Sequence, residues 1–103
     1  MGTHFPRIGA VAALENLVGW QVVEGRDAIQ KRYIFTSFNT AFGFMTRVAM
    51  VAEKWDHHPA WSNVYNEVEI LLATHDVGGV TELDVRMAQF MDEAATALGA
   101  TPR

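Results

Sequence analysis

Glu53, Asp56, His57, His58 and Pro59 fall in one short stretch, His75 follows His57 by eighteen positions, and Asp84 comes later still. Imidazole, with an ordinary pKa of about 6.5, can give or take a proton at neutral pH. Three of the chain's four histidines lying near carboxylates therefore point to general acid and base chemistry. Glu53 stands one helical turn before His57, so its carboxylate can reach that ring and hold one tautomer, while a helix C-terminus there favours the protonated form. Other readings use the same residues. His-His-Pro is also a common polar helix end. Three histidines and a carboxylate could ligate zinc or iron, but adjacent His57 and His58 diverge and the chain has no His-x-His or His-x-x-x-His pair, so no metal is expected. Asp84 is most simply a helix cap, and Trp61 is either core or a platform for a flat heterocycle. Glu67 and Glu69 read as a solvated strand face.

Composition sets the frame in which such a site is built. A chain of 103 residues, half of them apolar, forms one domain with a core of its own, residues 1–7 being a flexible end. The formal charge of −4 comes without a basic run, which leaves nucleic acid phosphates little to attract them. There is no cysteine, so neither a disulfide framework nor a thiolate metal site exists, and a cytoplasmic setting is expected. The apolar run at 8–14 is too short to span a bilayer and lacks the features of a signal peptide.

The elements that must position the histidines follow from periodicity. Val11, Leu14, Leu17 and Val18 have helical spacing, closed by Gly19. Trp20 and Val22, the turn Gly25-Arg26-Asp27, then Ile29, Tyr33 and Phe35 predict a β-hairpin. Asn39 is the expected N-cap of a central helix carrying Ala41, Phe42, Met45, Val48, Ala49 and Ala52 up to Pro59. A second row, Phe44, Met45, Val48, Val51 and Trp55, gives this helix more apolar surface than one stripe needs, so a second side calls for cover by a partner or by its own fold. Strands at 61–65 and 68–74, turning at Asn66-Glu67, put Val68, Ile70 and Leu72 on one face and place position 58 opposite His75. Thr81 and Asp84 make a capping box for a last helix with Leu83, Met87, Phe90, Met91, Ala94 and Leu98. The order is α-β-β-α-β-β-α. The fold class is α+β in two layers, a four-stranded antiparallel sheet covered on one face by helices. In that arrangement the second hairpin returns His75 to the end of the central helix, on the face away from the helices.

The segments Glu53-Lys-Trp-Asp-His57-His58-Pro59, Trp61-Ser-Asn-Val-Tyr65-Asn66, Thr74-His75-Asp76 and Asp84 resemble the pterin-4a-carbinolamine dehydratases, as do Glu24-Gly-Arg-Asp-Ala-Ile29 and Phe38-Asn-Thr-Ala-Phe-Gly-Phe-Met-Thr-Arg-Val-Ala49. The likeness covers about 17–94; the stretch at 9–14 offers no distinctive match. The resemblance implies loss of water from a 4a-hydroxytetrahydropterin to give quinonoid dihydropterin, in tetrahydrobiopterin recycling, with neither cofactor nor metal. It implies that His57 and His75 form the acid/base pair and that His58 holds the pterin and shares proton transfer. Glu53 would orient a histidine. Asp56, Ala73, Thr74 and Asp76 would line the substrate pocket with Asp84 and Trp61, Ala73, Thr74 and Asp76 partly through backbone. It also implies homodimers or homotetramers built through sheet edges and the central helix. In some animal members that helical surface takes the helical dimerisation segment of a transcription factor, so a binding module is the alternative function, with a nuclear location to match.

Overall fold

The computed structural model describes residues 5–102. Four antiparallel strands, β1 (Gln21–Val22), β2 (Ile29–Ile34), β3 (Ala60–Val64) and β4 (Glu67–Leu72), lie in the order β1-β2-β4-β3. Helices α1 (Ala10–Ala13), α2 (Phe38–Trp55) and α3 (Glu82–Ala97) complete the expected α+β order. A fifth strand, β5 (Thr101–Pro102), was not foreseen. It forms because Gly99, at φ 76°, ends the turn after α3: its N–H reaches Thr96 O and that of Ala100 reaches Ala95 O, which sends the chain back beside β2.

Alternation along the central strands decides the layers. Ile29, Lys31 and Tyr33 of β2 and Val68, Ile70 and Leu72 of β4 are buried, while Gln30, Arg32 and Glu69 are exposed. The buried face meets Ala41, Phe44, Val48 and Ala52 of α2 and Val85, Met87, Ala88, Met91, Ala94 and Ala95 of α3 in one core. Tyr33 and Phe35 pack their rings on Phe44 at 5.2 and 5.0 Å between centroids, tying β2 to α2.

Several local expectations are corrected. The first helix spans only 10–13, followed by a 3-10 turn at Leu14–Asn16, and it buries Ala10 and Ala13 while Val11 and Val18 face outward. Small alanines let the backbone approach the core, and this overrides the valine spacing, while Leu14 and Leu17 pack partly buried against the core as their spacing implied. The N-cap of α2 is Ser37, whose hydroxyl accepts the Thr40 N–H, two residues before Asn39. On α2 the inward row is Ala41, Phe44, Val48 and Ala52; Phe42 and Ala49, assigned to the core by spacing, face outward. The second hairpin turns at Tyr65-Asn66, with Tyr65 at φ 52°, and pairs Ala60 with Leu71 where the expected register opposed it to Ala73. A slip of two residues leaves every side chain on its expected face, because the strand period is two. At the N-terminus, residues 1–4 of the expected flexible end lie outside the described residues, while Arg7 bridges Thr81 and pairs with Asp27.

Candidate active site

The end of α2 sets the directions of the two adjacent histidines. Asp56 takes the left-handed conformation, φ 53°, donating its N–H to Glu53 O at 3.3 Å, and the His57 N–H reaches back to Ala52 O at 3.0 Å. This pair of bonds is a Schellman motif, and aspartate is one of the few residues besides glycine that enter the left-handed region at modest cost. The helix thus stops at Trp55, ahead of Pro59. From this turn His57 runs inward and is 6% exposed, whereas His58 stays on the surface.

Inside, His57 meets a buried carboxylate. Its Nε2 lies 2.5 Å from Asp84 Oδ1, and Asp84 is fully buried. The other oxygen, Oδ2, accepts the Thr81 N–H at 2.9 Å and the Thr74 hydroxyl at 2.8 Å. Since the Thr74 hydrogen is committed to Asp84, its 2.8 Å contact with Thr81 is donated by the Thr81 hydroxyl. Thr81 Oγ1 in turn accepts the Leu83 N–H at 3.2 Å. The expected capping box of α3 is present, and its carboxylate also serves a histidine from a different element. As a carboxylate Asp84 can only accept, so the proton in the 2.5 Å contact sits on His57 Nε2, leaving Nδ1 with the lone pair in the neutral ring.

The other candidates occupy the surface around this network. Glu53 Oε1 lies 3.2 Å from His58 Nε2, not on His57 as helical spacing suggested; the two side chains are 84% and 57% exposed. The Schellman turn swings His57 off the helical track that would have stacked it over Glu53. His75 does not continue β4, which ends at Leu72; it opens a 3-10 turn, His75–Val77, and is exposed along with Asp76. Ala73 is half-buried, and Thr74 is buried and contributes its hydroxyl rather than backbone alone. Asp56 is exposed at the helix end. Trp61, half-buried, shares an apolar groove with Phe42, Met45, Ala49, Met50 and Glu53. Thr74 and His57 share one carboxylate, so the segment bearing His75 comes back to the end of α2. Among the described residues no group of three His, Asp or Glu side chains is set to hold a metal ion. No helix there is long and apolar enough to cross a membrane.

Sequence reasoning missed Thr81 as a hydroxyl donor and missed a second polar cluster altogether. Lys31 Nζ lies 2.7 Å from Asp92 Oδ1 and 2.9 Å from Val18 O, with the Tyr33 hydroxyl and the Trp20 Nε1 also on Asp92. Burial first, then the bond to Asp92, push the Tyr33 phenol well above its ordinary range. The signal was there to find: Lys31 stands between Ile29 and Tyr33 at a position whose parity is buried.

The chain matches the model of a family described as pterin 4 alpha carbinolamine dehydratase over residues 7–94. The match takes in 9–14, where the sequence offered no distinctive likeness. A Bordetella avium protein provisionally named pterin-4-alpha-carbinolamine dehydratase is 63% identical over 98% of this chain and 94% of its own. One of the same provisional name from Jannaschia is 62% identical over 86% of this chain and 90% of its own. Among solved structures, a transcriptional coactivator/pterin dehydratase from Brucella melitensis superposes with a TM-score of 0.83 at 50% identity, covering 87% of this chain and 99% of that one. A pterin dehydratase-like protein identified as a RuBisCO assembly factor in the alpha-carboxysome, 22% identical with a TM-score of 0.65 over 78% of this chain and 93% of its own, shares the fold. Because the family match holds every candidate side chain of the site, from Glu53 to Asp84, this chain belongs to the pterin 4 alpha carbinolamine dehydratase family.

Proposed function

We propose that this protein is a hydro-lyase that removes water from a 4a-hydroxytetrahydropterin by histidine acid/base catalysis, as part of tetrahydrobiopterin recycling. The observation that carries the reading is the buried His57–Asp84 pair at 2.5 Å, locked by Thr74 and Thr81 and adjoining His58 and His75. His57 acts as the base. Its neutral Nδ1 takes the proton from N5 of the substrate, and Asp84 on Nε2 stabilises the imidazolium that results. The electron pair released at N5 forms the C4a–N5 double bond as the C4a–O bond breaks. His75, protonated and reaching the substrate from its turn, gives its proton to the leaving oxygen, which departs as water. His58, steadied by Glu53, holds the pterin at the rim with Asp56, Trp61, Ala73, Thr74 and Asp76. The charges balance with neither a metal nor a nucleophile. A cytoplasmic compartment is part of this reading, since a chain without cysteine gains nothing from an oxidising one.

The test is stopped-flow absorbance on a freshly generated 4a-hydroxytetrahydropterin. General acid and base groups supply about 10²- to 10⁴-fold, so His57→Ala and His75→Ala should each slow dehydration by at least about tenfold. Equal turnover by the wild type and both variants overturns the assignment.

A second reading concerns assembly. Phe38, Phe42 and Met50 of α2 are 50%, 53% and 64% exposed, and beside them lies a groove of about 560 Å³ formed by Phe42, Met45, Thr46, Ala49, Met50, Glu53 and Trp61. A row of large apolar side chains on one helix is suited to another helix. The reading takes the occupant to be a second copy, giving a homodimer or homotetramer. The coactivator name of the Brucella relative supports the helical dimerisation segment of a transcription factor as an alternative occupant.

A further inference from the structure

The turn that presents His75 is held from behind by residues distant in sequence. Its ends are joined to each other: Thr74 N–H donates to Gly79 O at 2.7 Å, and Gly79 N–H to Thr74 O at 3.3 Å. Beyond Gly79 the chain runs beside the N-terminal segment, where Ile8 N–H donates to Val80 O at 2.8 Å and Arg7 bridges Thr81. Asp27, from the turn between β1 and β2, fastens both. Its Oδ1 accepts the Ala10 N–H at 2.6 Å; its Oδ2 pairs with Arg7 Nε at 3.0 Å and accepts the Val80 N–H at 3.4 Å. Gly79 shows how closely this carboxylate approaches. A Cβ there would overlap Asp27 Oδ2 and stand 2.7 and 2.8 Å from Arg7 Cδ and Nε, so a side chain at 79 is excluded by the clamp itself.

We propose that Asp27, working through Arg7, Gly79 and Val80, is a positioning residue for the dehydration, setting where the His75 turn stands relative to the His57–Asp84 pair. The inference rests on the dehydratase reading. Two features support a role beyond anchoring the N-terminus. Asp27 grips the C-terminal end of the turn, accepting the Val80 N–H and lying against Gly79, and Gly79 is itself bonded to Thr74, the first residue of the site network. The tip, His75 to Gly78, is a single short turn, exposed except for the half-buried Val77, so its place is inherited from its ends. A displacement of about 1 Å in a reacting group can cost as much as 10²-fold in rate without any loss of folding.

The experiment compares the full chain with Asp27→Asn, Asp27→Ala, Arg7→Ala and Gly79→Ala, each assayed well below its measured melting temperature. Two readouts are taken: steady-state dehydration, and the ring ¹H–¹⁵N spectrum of the histidines without substrate. Asp27→Ala should lower kcat about tenfold or more with a smaller change in KM. It should also shift the His75 ring resonances, while the bonded Nε2 proton of His57 persists. Asp27→Asn keeps one acceptor oxygen and should recover part of kcat. Gly79→Ala should reproduce the His75 shifts, and adding Asp27→Ala to it should cost little more, because the clash has then lost its main partner. If Asp27→Ala cannot be obtained folded, Arg7→Ala and Asp27→Asn carry the same comparison. Folded variants with wild-type kcat and unmoved His75 resonances overturn the proposal. Should the wild type itself fail to dehydrate the pterin, the dehydratase reading falls, while the ring spectra still decide whether Asp27 positions the turn.

Discussion

An aspartate that can only accept hydrogen bonds decides which nitrogen of His57 carries the proton. Asp84 is surrounded by three donors on two oxygens, and an amide in its place has one oxygen to accept from them. In Asp84→Asn the new NH₂ must face either His57 Nε2 or the pair Thr81 N–H and Thr74 hydroxyl. Facing His57 it demands the other tautomer and moves the lone pair to the wrong nitrogen; facing the threonines it sets donor against donor. The first arrangement exchanges charge-assisted bonds for weaker neutral ones, and the second leaves buried donors unmatched, at a cost of about 1–3 kcal/mol. The variant should therefore unfold at lower temperature in a thermal melt. Its dehydration rate should fall by about 10²-fold, the lower end of what a positioned acid/base group supplies. ¹⁵N chemical shifts of His57 would report the tautomer directly. Retention of the Nε2–H form with full activity would contradict the role given to Asp84. The exposed pair Glu53 and His58 has no such grip, since at 84% and 57% exposure water competes for both partners.

At the scale of elements, α3 is pinned to the sheet by a second carboxylate. Asp92 receives Lys31 from β2, Trp20 from the segment before β1, and the Tyr33 hydroxyl, while the ammonium stands 5.1 Å from the Tyr33 ring centroid and 5.8 Å from that of Trp20. The Lys31 side chain is 6% exposed and that of Asp92 29%. Removal of the two partners should therefore be unequal. Asp92→Ala leaves a buried ammonium with the Val18 carbonyl and should cost about 3 kcal/mol. Lys31→Met leaves Asp92 its remaining donors and some water, and should cost less than half as much. Urea unfolding of both variants checks the order; equal losses would mean that Lys31 is solvated without Asp92. The network lies on the face of β2 that packs on the helices, so it secures the helical layer against which His57 and Asp84 meet.

For the whole molecule, the open question of cover is where the helical layer meets solvent. The row Phe38, Phe42 and Met50 continues outward from a helix whose other side is already in the core, so the surface is apolar by composition and not by exposure of core residues. Self-association through it predicts that static light scattering gives a mass above the 11.5 kDa of one chain. Phe42→Glu and Met50→Glu, which place charges on an exposed row, should shift that mass toward the monomer while each chain stays folded by circular dichroism. A wild type that scatters as a monomer at micromolar concentration would remove the self-association reading. Because Glu53 and Trp61 border the same groove, the two readings of this protein meet at one edge of the site.

The amino-acid sequence by itself determined the α+β order, the antiparallel hairpins, the faces of Val68, Ile70 and Leu72, and the Thr81-Asp84 cap. Each is a local consequence of a period of two, a helical stripe or a reciprocal pair of hydrogen bonds within a few residues. The candidate histidines and Asp84 were legible as residue types. What joined them was not. Helical spacing alone assigns Glu53 to His57, yet one left-handed residue, Asp56, turns the chain so that His57 meets Asp84 and Glu53 meets His58. Spacing likewise put Phe42 in the core row of α2 and Phe44 in the second, and the packing of Phe44 against Tyr33 and Phe35 reverses that order. The same holds for Lys31 with Asp92 and for Arg7 with Asp27. Long-range pairing depends on where elements cross in space, and no local period encodes that crossing.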